Sequence, residues 1–346
     1  MKPSYLSLSQ SDWRQKKLQA VKLLKSCKAC PRCCGVNRLL GQQGFCKNAV
    51  KIGSDKNSSC DNSASEVALL ESSLIALSAA VLHQGEEPVF GGTKGVGNFF
   101  FYYCNGSCIF CQNWEISQPE HEVKNKHYFT ATQLAKKMVK LQSEGATHIG
   151  LVSPTHIAPF LIVALQEAVN LGLRIPIIYN SNGYDSIETL KLLEDIVSIY
   201  LPDFKYGDDE AALKYSGFVK YKESAARAIA EMVRQVGSTI IEENGLAQRG
   251  VIVRHLVLPE DKSSTNAVFN ELSFISTKLP ISLMAQYHPC YKAVNCKPLD
   301  REITKTEYEA AKTSLRDNFF YNGYEQELES SSNYLPNFAN SDKIFS

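Results

Sequence analysis

The run Asn98-Phe-Phe-Phe-Tyr-Tyr-Cys104-Asn-Gly-Ser-Cys108-Ile-Phe-Cys111 joins two signals. Its first six residues are aromatic-rich, of strand length and of high β-propensity, so they deliver Cys104 where a strand would end. Its second half supplies three thiols spaced C-x3-C-x2-C. An electron-transfer iron–sulfur cluster takes four cysteinates, whereas a metal that must bind a substrate keeps one position free. Three thiolates therefore predict a four-iron cluster with one open iron. The competing reading is a structural zinc knuckle, but zinc usually takes paired C-x2-C or His ligands, and no second pair follows closely.

Outward from this run, apolar strand-like segments alternate with helix-period segments, the pattern of βαβ units on a parallel sheet. The expected strands cover 98–103, 147–153, 175–180, 197–203, 251–258 and 281–287. Capping-box spacing marks helix starts at Thr130 with Gln133, Asp185 with Glu188, and Thr304 with Glu307. Six such units make an α/β partial barrel, short of the eight that close a complete one. Polar groups at the carboxyl ends of these strands are the candidate site residues: Ser153, Thr155 and His156 after the second, Asn180 after the third, Asp203 and Lys205 after the fourth, Arg254 on the fifth and His288 after the sixth. Lys205 and Arg254 suit a carboxylate, and Asp203 or His288 suit ribose or amino groups. Phe110, just before Cys111, offers a flat apolar face for an adenine ring.

A second cysteine set, Cys27, Cys30, Cys33, Cys34 and Cys46, lies upstream. Five thiols compete for four ligand positions, which suit either a closed iron–sulfur cluster or a structural zinc. Cys60, Cys290 and Cys296 are left over and read as free thiols, with Cys290 close enough to His288 to face the site. The glycine-rich stretch 91–97 lacks the ending of a phosphate loop and reads as an entry to the first strand.

The composition balances 37 Lys and Arg against 36 Asp and Glu with 44% hydrophobic residues, so a full core is expected and no basic footprint points to nucleic acid. The amino terminus lacks the apolar core of a signal peptide, and no apolar run reaches the ~20 residues that span a bilayer. A cytoplasmic protein without a membrane role is expected, in which cysteines serve metals rather than disulfides. The organisation expected is a Cys-rich module over 1–96, a barrel over 97–320 and a polar tail over 321–346.

The triplet with an aromatic before its third cysteine resembles the signature of the radical S-adenosylmethionine (SAM) superfamily. Further strings, Cys-Pro-Arg-Cys-Cys-Gly at 30–35, His-Gln-Gly-Glu-Glu-Pro at 83–88, Cys-Gln-Asn-Trp at 111–114 and Val-Ser-Pro-Thr-His at 152–156, resemble glycyl-radical activating enzymes, in particular their PflX-like branch. The resemblance implies a (β/α)6 partial barrel and a [4Fe–4S] cluster on Cys104, Cys108 and Cys111. It also implies SAM contacts from Phe110, Ser153, Thr155, Asn180, Asp203, Lys205, Arg254 and His288, and amino-terminal ligands Cys27, Cys30, Cys34 and Cys46, with Cys33 the variable residue. Ser-Pro-Thr-His stands where the superfamily often has a glycine-rich segment. The activity implied is reductive cleavage of SAM to a 5′-deoxyadenosyl radical, fed by flavodoxin or ferredoxin, with a glycyl-radical enzyme as the protein substrate. The alternatives are radical modification of another protein, peptide or small molecule, and a non-catalytic metal scaffold or electron carrier.

Overall fold

Every residue of Val96–Phe101 is buried, because this strand lies between a helical layer and a barrel interior. The computed structural model describes residues 1–47, 50–52, 63–91, 94–118, 126–328 and Phe338. Its strands are β1 (Val50–Lys51), β2 (Leu74–His83), β3 (Val96–Phe101), β4 (Tyr128–Phe129), β5 (Ile149–Val152), β6 (Ile177–Ser181), β7 (Ile199–Pro202), β8 (Ile241–Glu243), β9 (Leu246–Val251), β10 (Val253–Leu256), β11 (Ile281–Met284) and β12 (Gly323–Glu325). From β3 the sheet runs parallel through β5, β6, β7 and β9, and β10, β11 and β12 continue in parallel. β9 and β10 are one strand interrupted at Ile252, and a parallel bridge between Asp203 and Arg254 carries the sheet across the break. All six expected strands are present with helices between them, so the fold is the α/β partial barrel read from the sequence.

Two elements extend that reading. β2, within the stretch expected as a separate module, pairs antiparallel with β3. β12, within the stretch expected as a tail, is a seventh parallel strand, fixed because the Gln326 side-chain oxygen accepts from the backbone N–H groups of Ala285 (3.0 Å) and Gln286 (3.3 Å). β2 is a mainly apolar run without alternation, and β12 is only three residues long, so neither stands out as a strand of this sheet without its neighbour. Helix Gln10–Lys25 packs on Ala158–Asn170, whose residues are buried on nearly all sides for that reason. Tyr5, Trp13 and Leu24 join the same core cluster as the barrel.

The capping boxes at Thr130 with Gln133 and Thr304 with Glu307 form as read. The one expected at Asp185 with Glu188 does not: Ser186 caps that helix, its hydroxyl accepting from the Thr189 N–H at 3.2 Å. Asp185 is committed elsewhere, accepting from Thr155 (2.7 Å), Tyr179 (2.8 Å) and Ser181 (2.6 Å). Cys60, Gly92, Thr93 and most of the expected tail lie outside the described residues. Among the described residues, no helix is long and apolar enough to cross a membrane.

Candidate functional site

The chain leaves β3 sharply at Tyr103, whose φ of +68° is left-handed and whose N–H is held by the Ile116 carbonyl at 2.7 Å. Cys104 is thereby buried beyond the strand end, with Cys108 and Cys111 half-buried. Donors point at the sulfurs. The Gly106 N–H lies 3.4 Å and the Asn182 amide 3.5 Å from Cys104 Sγ, and the Ser117 hydroxyl lies 3.2 Å from Cys111 Sγ. Gly106 is required for close packing, since a Cβ there would sit 2.7 Å from Phe218 Cζ.

Burial pushes the Cys104 thiol up to about 12 and Cys108 up to about 11, with the other cysteines of the triplet adding repulsion and Lys205 opposing it. Cys111 is raised by burial as well. Three crowded thiols whose ionisation burial and mutual repulsion oppose, with hydrogen-bond donors on sulfur, are a donor set that a cationic metal centre would convert to thiolates. This fits an iron–sulfur cluster. Among the described residues, no group of three or more His, Cys, Asp or Glu side chains converges as the shell of a single metal ion.

Beside the triplet, Lys205 Nζ lies 2.5 Å from Asp203 Oδ2. Burial opposes the Lys205 charge, but Asp203 and then Cys108 hold the proton, so its pKa is raised. Arg254 instead lines a cavity of about 550 Å³ that also takes in Gln112, Asn113, Asn180 and Gln286. There it forms ion pairs with Glu86 and with Glu87, while the Asn98 amide donates to Glu86 at 2.7 Å. Glu86 and Glu87 belong to the 83–88 string, which the sequence left without a role. His83 pairs with Val96, the first residue of β3, so the residues after it cross the amino-terminal end of the barrel and floor the cavity.

The remaining candidates are dispersed. Asn180 lines the cavity, and Ser153 takes a left-handed φ of +48° beside it, its N–H donating to the Asn180 carbonyl at 2.8 Å. Thr155 is buried in the Asp185 network rather than lining the cavity. Phe110 is buried and packs edge to face on Tyr287, centroids 5.8 Å apart. His288 pairs with Glu302 at 2.9 Å on the half-exposed rim. His156 is buried, with Nε2 2.9 Å from the Tyr102 carbonyl. The Cys290 thiol donates to the Phe110 carbonyl at 3.3 Å and is pushed up to about 12 by burial and then by Cys111, so it lies by the triplet. Cys296 is half-buried with its sulfur 3.9 Å from the Lys297 carbonyl.

The amino-terminal thiols Cys27, Cys30, Cys34 and Cys46 line one small enclosed space, whose wall includes Asn105 and His156 of the barrel. Burial, then the other thiols of the set, raises Cys30. Cys33 also borders this space but is exposed, at a φ of +44°.

Residues 98–261 match the model of the Radical SAM superfamily. That family implies a [4Fe–4S] cluster and SAM. Over 304 residues the chain is 29% identical to an uncharacterized protein of Methanocaldococcus jannaschii, MJ0674, covering 84% of this chain and 75% of the relative. Among solved structures it is similar to HydG, a maturase of the [FeFe]-hydrogenase, at 11% identity and a TM-score of 0.46, covering 64% of this chain and 49% of HydG. Methylornithine synthase (PylB) gives 15% identity and a TM-score of 0.42, covering 71% and 75% of the two chains.

Proposed function

We propose that this chain is a radical SAM enzyme that takes a hydrogen atom from a glycine of a partner protein, acting as an activase of a glycyl-radical enzyme. The observation that carries the reading is the cavity of about 550 Å³ beside Cys111, whose lining includes the amide residues Gln112, Asn113, Asn180 and Gln286. Such amides offer a donor and an acceptor each, which matches the backbone of an extended peptide. Cys104, Cys108 and Cys111 would hold the cluster, leaving one iron for SAM.

When bound and reduced by one electron from a flavodoxin or ferredoxin, the cluster supplies the electron that splits SAM into methionine and a 5′-deoxyadenosyl radical. The chain's own residues bind and orient. Lys205, kept protonated by Asp203, is the cation nearest the thiols and suits the methionyl carboxylate. Asp203, once Lys205 turns to that carboxylate, is left to accept from an amino or hydroxyl group. Asn180, which lines the cavity, would contact the ligand there, and Ser153 holds the Asn180 carbonyl through its N–H. The cysteines Cys27, Cys30, Cys34 and Cys46 would hold a second metal centre that staples the amino-terminal segment; an iron–sulfur cluster fits them better than zinc, since no such group among the described residues converges as the shell of a single ion.

A second reading, radical modification of another peptide or a small molecule, is favoured by the cavity floor. A fixed Glu86, Glu87 and Arg254 cluster is the kind of placed polar group that orients a small ligand. The test is co-incubation of the reduced, SAM-loaded protein with a purified glycyl-radical enzyme, followed by electron paramagnetic resonance. A protein-borne glycyl radical supports the activase; 5′-deoxyadenosine without that radical moves the assignment to the second reading.

A further inference from the structure

The loop that carries the thiols is anchored from three directions, and one anchor comes from outside the matched residues 98–261. The end of helix Asp209–Ser216 takes the Ser107 N–H on the Ser216 carbonyl at 3.0 Å and the Ile109 N–H on the Tyr215 carbonyl at 2.9 Å. The Asn105 side chain accepts from the Asn182 amide at 2.8 Å and donates to the Tyr184 carbonyl at 2.8 Å. The third anchor is Arg32, which sits between Cys30 and Cys33 in the amino-terminal cysteine set. Its Nε–H donates to the Asn105 carbonyl at 2.6 Å and its Nη2 to the Gly217 carbonyl at 2.8 Å. The guanidinium carbon lies 3.4 Å from the centroid of the Phe45 ring, next to Cys46.

We infer that Arg32 is a positioning residue for the radical site: it holds the turn between Cys104 and Cys108, so that the thiols are presented correctly only when the amino-terminal cysteine module is in place. The inference rests on the reading of Cys104, Cys108 and Cys111 as cluster ligands. Its physical basis is the planar fork of arginine, which satisfies two carbonyls of different segments at once while its face stacks on an aromatic ring. The Asn105 carbonyl shares its peptide unit with the Gly106 N–H, which lies 3.4 Å from Cys104 Sγ, so a shift of that carbonyl turns the donor away from the sulfur. Gly217 is equally constrained, with a φ of +65° and no room for a Cβ, which would fall 2.4 Å from Ser107 Oγ. The bridge therefore ties together two backbones that have no slack.

The experiment compares the full-length wild type with Arg32→Ala and Arg32→Lys after anaerobic reconstitution with iron and sulfide. The readout is the change in the electron paramagnetic resonance spectrum of the dithionite-reduced protein on adding SAM, which reports only a cluster with an open iron. Thermal unfolding is followed in parallel. Arg32→Ala is expected to unfold within a few degrees of the wild type while losing at least threefold of the SAM-dependent spectral change. Arg32→Lys keeps the charge but cannot span both carbonyls, and is expected to lose a similar share; should Arg32→Ala fail to fold, the lysine variant decides by the same reading. A wild-type SAM response in a folded Arg32 variant overturns the inference and leaves the radical reading intact. A loaded wild type whose spectrum ignores SAM overturns both.

Discussion

Arg254 and Glu87 meet through two hydrogen bonds, Nε to Oε1 at 2.8 Å and Nη2 to Oε2 at 2.6 Å, with Glu86 on the same guanidinium. An arginine that sequence position marks as a partner for the SAM carboxylate is thus already matched by two buried acids. Lys205 is left as the cation beside the thiols, with Asp203 as its sole ion-pair partner among the described residues.

Removing one partner of a buried cluster leaves the others uncompensated. Arg254→Met is expected to cost about 3 to 5 kcal/mol, read from urea unfolding, because Glu86 and Glu87, both largely shielded from solvent, would then repel each other without a counter-charge. Adding Glu86→Gln and Glu87→Gln to the methionine variant is expected to recover more than half of that loss.

The barrel floor and the closing strand show where sequence reading stops. The six parallel strands and the cysteine triplet are legible because β-branched and aromatic runs and ligand spacing are local signals. The roles of Glu86, Glu87 and Arg32 are not, since each depends on a partner far away in sequence: Arg254, and the carbonyls of Asn105 and Gly217. The Pro-Arg inside the cysteine motif was visible, but nothing local says what an arginine there would reach. Asp185 fails as a helix cap for the same reason, its carboxylate being claimed by Thr155, Tyr179 and Ser181 across the barrel wall.

His255 makes acid sensitivity a sharp expectation. It is buried, with Nδ1 2.7 Å from the Phe204 carbonyl and Nε2 3.0 Å from Thr265 Oγ1, and burial lowers its pKa from 6.5 to about 4. The folded state resists the proton that the unfolded chain accepts, so the stability this histidine contributes is complete above pH 6.5 and declines as the pH falls toward 4. The loss approaches about 3 kcal/mol. Denaturant unfolding between pH 7.5 and 5 should show this decline together with that of His156, which burial also lowers to about 4, and His255→Asn should make it shallower; equal slopes in the two proteins would remove His255 as a source.

Gly183 sits after β6 with a φ of +74°, and a Cβ there would fall 2.2 Å from the Asp203 carbonyl. Gly183→Ala is therefore expected to destabilise by more than about 1 kcal/mol and to displace Asp203 from Lys205. Weakened SAM binding by calorimetry, out of proportion to the change in unfolding midpoint, is the accompanying result.

Thr304→Ala removes a hydroxyl that accepts from the Glu307 N–H at 3.2 Å at the start of Lys305–Asp317. A loss of about 1 kcal/mol is expected, with no effect on cluster content, which makes it the control for the site variants.

The most direct measurement is 5′-deoxyadenosine formation from SAM by anaerobically reconstituted, dithionite-reduced protein, comparing the wild type with a variant in which Cys104, Cys108 and Cys111 are all alanine. The account predicts product from the wild type and none from the variant. A fully loaded wild type that forms no 5′-deoxyadenosine would contradict it and leave an electron carrier or metal scaffold in its place.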